Sequence, residues 1–197
     1  MLTPTHTLLA LAALSKRRER KRNLTIIVGS LLPDLAITLW APYQAIVNGV
    51  SGTKMWDELY FEAPMQNLIA WFNSIPIYAG LLLIGFLARS KTWGKLLMVL
   101  ALAALIHIAT DMPVHAEDAY RHFWPVSDWR FYSPLSYWDL DHHAAWVGKV
   151  DVAIALACIA VLWQRHALRW TRIILGVAAM FYLTVLAGPL LKPLFIG

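Results

Sequence analysis

Residues 63–88 carry no Asp, Glu, Lys or Arg. As a helix, such a run reaches across the roughly 30 Å hydrocarbon core of a bilayer. In that core every backbone N–H and C=O must be paired within the chain, which confines the fold to helices or a closed barrel. Residues 173–191 are equally free of charge, and residues 24–48 are apolar except for Asp34, which follows Pro33. Residues 96–110 are apolar except for His107, and that span runs on to Asp111 and residue 112. Residues 147–163 form a weaker span with Lys149 and Asp151 near one end. Only 15% of the chain is charged, against about 25% in soluble domains. The expectation is an all-α, polytopic helical membrane protein with about five transmembrane spans, forming one domain over residues 1–197. Residues 2–15 would cover only about 21 Å, so a short, partly inserted N-terminal helix is expected there.

The basic residues set a direction. Lys16, Arg17, Arg18, Arg20, Lys21 and Arg22 form one block; Arg89, Lys91 and Lys95 a second; Arg165, Arg169 and Arg172 a third. Each block flanks an apolar run, which is the positive-inside pattern of a cytoplasmic membrane. It accounts for the net charge of +5 through topology and anionic lipid, and nucleic acid is not an expected partner. The apolar stretch at the N-terminus precedes its basic block, the reverse of an ordinary signal peptide. Cys158 is the one cysteine. It reads as a small buried residue, which leaves no disulfide framework and no thiolate metal site. With the blocks inside, residues 49–62 and 113–146 face outside, the periplasm if the membrane is a bacterial inner membrane.

Polar residues within the spans carry the chemistry. His107, Asp111 and His115 are spaced by four, close to one face of a helix, although Pro113 makes the last step approximate. Two imidazoles and a carboxylate on one face are a metal-ligand set. Ionisable groups at membrane depth are costly and usually mark function. Asp34 has no cationic partner in its own span and falls near mid-depth. His6, on the short helix, falls in the outer leaflet, so His6, Asp34, His107, Asp111 and His115 converge on one depth and are the candidate ligands. A lone histidine in such a place is more often a hydrogen-bonded core residue; the register of the three is what points to ligation. Asp118 and His122 follow as candidate general base or supporting groups. Nitrogen and carboxylate donors suit zinc first, with iron or manganese as alternatives, and disfavour calcium or magnesium. His142 and His143 are adjacent and cannot point the same way, and His166 reads as surface. The outer segment from Phe123 to Trp146 is rich in aromatic residues and broken by Pro125 and Pro134. It reads as an interfacial aromatic belt, or as a lid over the site with Arg121 and Arg130 offering charge to phosphate.

Thr5-His6, Gly29-Ser30-Leu31-Leu32-Pro33-Asp34 and His107-Ile-Ala-Thr-Asp111 resemble a bacterial inner-membrane family, the YdjM-like membrane-bound metal-dependent hydrolases. The run from His122 to Trp138 looks like a subgroup signature, and the resemblance covers roughly residues 1–145. The order His, Asp, His-x-x-x-Asp is more remotely similar to zinc-dependent phospholipase C. The chain departs from the family at its His-Arg-x-x-Thr-His-Ser element, where Trp71-Phe72-Asn73-Ser74 stands instead. The resemblance implies a reaction class, metal-dependent hydrolysis, and no substrate. With the site open to the outer leaflet, the expected substrate is a phosphoester or ester of a lipid or lipid-linked molecule at the outer face. The other reading is a non-catalytic, metal-stapled accessory subunit with further membrane proteins as partners. An ion or proton carrier would need a polar path to the cytoplasmic side, where the spans are apolar.

Overall fold

The structure, a computed structural model, describes residues 1–195. They form nine α-helices, short 3-10 and π turns and an irregular outer segment, and no strand occurs among the described residues. Four helical stretches are long and apolar enough to cross a membrane: Ala63–Leu87, Thr92–Val114, Ala144–Arg165 and Arg169–Ala187. A fifth is a bent pair, Arg20–Leu31 with Leu35–Val47, turned by 64° at its break. The all-helical polytopic fold is therefore as expected, but two of the five spans are interrupted.

Both interruptions have local causes. Helix α2 (Arg20–Leu31) stops before Pro33, and α3 (Leu35–Pro42) starts after Asp34. Proline lacks the N–H that would continue the helix, and its ring collides with the carbonyl four residues back. After the small helix α4 (Gly52–Asp57), the run 63–88 splits into α5 (Ala63–Phe72) and α6 (Ile75–Leu87). Ser74 caps α6 by accepting from the Ile77 N–H at 3.1 Å, and Pro76 occupies its first turn, where a missing N–H costs nothing. Asn73 ties the two breaks together. Its Nδ2 donates to the Pro33 carbonyl at 2.9 Å and to the Ile69 carbonyl at 3.2 Å.

Helix α1 (Thr3–Leu14), expected to be a partly inserted element, lies at the centre. It packs on α2, on α7 (Thr92–Asp111) and on α8 (Ala144–Arg165). Apolar burial gives little drive between helices in lipid, so close packing of small residues must hold them. Ala10, Ala101, Ala103, Ala104 and Ala155 are all fully buried. Gly29 marks the tightest approach: a Cβ there would come within 2.4 Å of the Leu100 carbonyl oxygen. The last helix, α9 (Arg169–Phe195), packs on α8.

The three basic blocks gather at one end of the bundle. Arg165 donates to the Ala12 carbonyl at 2.8 Å, His166 meets Ser15 at 3.1 Å, and Arg22 donates to the Leu14 carbonyl at 2.9 Å. Lys95 shares a basic recess with residues 16–22. Thr3 and His6, at the start of α1, point to the other end, where the outer segment is anchored. There the Ile75 N–H donates to the His122 carbonyl at 2.8 Å, and Ser74 Oγ donates to the Trp124 carbonyl at 2.5 Å.

Candidate metal centre

His6 from α1, and His107 and Asp111 from α7, bring one ligand atom each to within 4.8 Å of one another, and all three residues are buried. Asp34, at the α2–α3 bend, adds an oxygen 3.5 Å from His107 Nε2. Because α3 starts at the bend without using the Asp34 side chain as a cap, that carboxylate is free to turn inward. There it accepts a hydrogen bond from Thr3 Oγ1. The group could hold a metal ion.

The hydrogen bonds around the imidazoles support this. His107 Nδ1 donates to the Ser30 carbonyl at 2.7 Å, since a carbonyl can only accept. That fixes the tautomer and leaves Nε2 with a lone pair, and Nε2 is buried without a hydrogen-bond partner. Thr110 directs its hydroxyl hydrogen at the carbonyls of Ile106 and His107, at 2.9 and 3.0 Å. Its oxygen is thereby an acceptor for His6 Nδ1 at 2.9 Å. His6 Nε2 then also presents a lone pair, 3.2 Å from Asp111 Oδ1. Two imidazole lone pairs stacked with ring centroids 3.7 Å apart thus face two carboxylates. Acceptors cannot satisfy one another; a cation among them can. The Met1 amino group, 2.8 Å from Asp111 Oδ1, brings positive charge to one carboxylate and leaves the imidazole lone pairs unmet.

His115 stands just beyond this group. Its Nε2 donates to Asp111 Oδ2 at 2.7 Å and its Nδ1 to Asp118 Oδ2 at 2.8 Å. Burial disfavours its charge, but the Asp111 carboxylate and the bonds to Asp111 and Asp118 outweigh that and push its pKa up to about 9. It is an imidazolium that orients Asp111 and is itself held by Asp118. Trp138 Nε1 also donates to Asp118 Oδ2, at 3.0 Å. His122 lies further off, at the α5–α6 break, donating from Nδ1 to the Asn73 carbonyl at 3.2 Å. Burial holds its pKa below the ordinary value. Arg121 and Arg130 are committed elsewhere: Arg121 to Asp128 and Asn67, Arg130 to Gln66 and the Ala119 carbonyl.

The centre is not sealed. A cavity of about 240 Å³ is lined by Thr3, Asp34, Thr38, Asp111, His115 and Tyr137, among others. Two carboxylates of the centre therefore open onto space. Several participants have no signature of their own in the sequence. Ser30 acts through a backbone oxygen, and Thr3 is an ordinary residue on an apolar helix. Thr110 alone carried a signal, since it directly precedes Asp111. Asp151, which in the sequence reads as the edge of a weak span, is buried on α8 with Oδ1 unpaired among the described residues. The chain matches no protein-family model, no curated protein and no solved structure.

Proposed function

We propose that the chain is a membrane-embedded, metal-dependent hydrolase of the YdjM-like kind, cleaving a phosphoester or ester bond of a lipid or lipid-linked substrate. The observation that carries this reading is the pair of imidazole lone pairs facing Asp111 and Asp34 beside an open cavity. A structural metal is usually enclosed by protein ligands, whereas a catalytic one keeps an open position. A divalent metal, zinc by donor chemistry, would be held by His6, His107, Asp111 and Asp34 and would supply Lewis acidity and a lowered water pKa. His115 keeps Asp111 aimed at the centre, and Asp118 fixes His115. Of the two roles open to Asp118, general base or supporting group, its bond to His115 favours support. His122 supports the outer segment at Asn73.

The lipid substrate is supported by a second cavity. An apolar groove of about 520 Å³ begins at Thr3, beside Asp34, and follows α1 to Leu11, Asn23 and His166 at the basic end. It has the position an acyl chain would need. Placing the basic end in the cytoplasm makes the protein a multi-pass component of a bacterial inner membrane, with its centre facing the periplasm.

One observation favours the accessory-subunit reading. Asn73, where the family carries a metal-binding histidine element, spends its amide on the Pro33 and Ile69 carbonyls. One experiment separates the two. The protein is purified without chelator, its metal measured, and its melting temperature and lipid hydrolysis followed for wild type, His107→Ala and chelator-treated samples. The hydrolase reading expects about one equivalent of metal, lost in His107→Ala together with activity. Metal below about a tenth of an equivalent would sink both readings. Sharp destabilisation by chelator with no activity on any lipid would leave the accessory subunit.

A further inference from the structure

Beside the metal cavity lies a larger cleft of about 560 Å³, sharing Ile37, Tyr120 and Tyr137 with it as a common wall. Its other aromatic walls are Trp56, Tyr60, Phe61 and Trp138, contributed by α4, the turn after it and the outer segment. Its charged lining is entirely acidic, Asp57, Glu117 and Asp118, with no Lys or Arg. Burial pushes the phenols of Tyr60, Tyr120 and Tyr137 upward, so they remain neutral faces. A carboxylate-rimmed aromatic box repels phosphate and attracts an organic cation, whose charge the ring faces and the carboxylates both favour.

Asp118 gives an independent pointer. Its Oδ2 is taken by His115 and Trp138. Its Oδ1 is buried and has no partner among the described residues, and the residue is only 7% exposed. A buried carboxylate oxygen without a donor is costly, and because Asp118 lines the cleft, a cation seated there lies beside its negative charge.

We propose that this cleft seats the alkylammonium head group of the lipid on which the metal centre acts. The proposal rests on the hydrolase reading. It assigns the substrate as a zwitterionic amine lipid, with its phosphate toward the metal cavity and its amine among Trp56, Tyr60, Trp138 and the three carboxylates. The apolar groove shares Thr3 with the metal cavity and no lining residue with the cleft, so head and tail would leave the centre by separate walls.

Two measurements test it on the full chain in neutral detergent. In the first, saturation-transfer NMR with tetramethylammonium reads binding without any turnover. Transfer to the methyl protons is expected, weakened about tenfold in Trp56→Leu and in the Asp57→Asn/Glu117→Gln double variant, and unchanged by chelator. Trp56, Asp57 and Glu117 are exposed, so these variants should fold, and an unchanged melting temperature checks that they have. In the second, hydrolysis is compared on vesicles of phosphatidylcholine, phosphatidylethanolamine and phosphatidylglycerol. Preference for the two amine lipids, reduced by the same variants, supports the proposal. No transfer, transfer indifferent to the variants, or hydrolysis confined to phosphatidylglycerol overturns it, and the last leaves the hydrolase standing. Variant-sensitive ammonium binding with no hydrolysis of any lipid supports the cleft and removes the hydrolase instead.

Discussion

Thr110 decides which nitrogen of His6 faces Asp111. Its own hydrogen is spent on the helix carbonyls behind it, so it can only accept from Nδ1. Thr110→Val keeps the shape and removes the acceptor. The expected result is a loss of about 10- to 100-fold in metal affinity, measured by competition with a chromogenic chelator, with little change in fold. The candidate ligands themselves were legible in the sequence, because a buried Asp or His in an apolar span stands out by cost alone. The tautomer locks were not, since a backbone oxygen such as that of Ser30 looks the same in every residue. A second expectation concerns the outer segment. Asp139 holds a hydrogen bond of 2.5 Å to His142 and raises its pKa. The ion pair is intact below the ordinary histidine range and is lost as pH rises through the raised value. An NMR titration should show His142 above its unperturbed pKa of about 6.5, and Asp139→Asn should bring it back down.

At the scale of elements, hydropathy counted the spans well and described two of them badly. An average over apolar residues is blind to where a helix stops. Pro33-Asp34 and Asn73-Ser74 were in plain view as helix breakers, yet the runs around them are apolar enough to read as continuous. The breaks are what make the site: the first turns Asp34 inward, and the second gives His122 and Trp124 a place to dock. The central place of α1 was also illegible, because length alone says how deep a helix reaches and not what surrounds it. The crossing of α2 and α7 at Gly29 offers a test. Gly29→Ala must push the Leu100 carbonyl away, costing about 1–3 kcal/mol of stability. It should also loosen the Ser30–His107 bond, so metal affinity and melting temperature should fall together, the first by equilibrium dialysis and the second by thermal melt.

The whole molecule is polarised along the bundle axis. Three basic loops meet at one end, and the carboxylates and imidazoles of the centre collect at the other. Sequence charge blocks foretold that separation, since each block lies beside an apolar run and consecutive spans reverse direction. The expected outcome in intact cells is that a cysteine at position 19 or 92, in a Cys158→Ala background, resists impermeant maleimide until the membrane is opened. One at position 57 or 117 should react at once. Labelling of 19 or 92 from outside would invert the arrangement and carry the centre to the cytoplasmic face.

The position of α1 also sets a timetable. Its neighbours α2, α7 and α8 are all synthesised after it, and its burial is complete only once residues 144–165 have entered the membrane. Until α7 is made, His6 waits on a helix too short to span alone, without Thr110 and Asp111, which turn its imidazole. The ligand set is therefore incomplete until α7 has been made, and a metal held by this group would be acquired only once α1 and α7 have met.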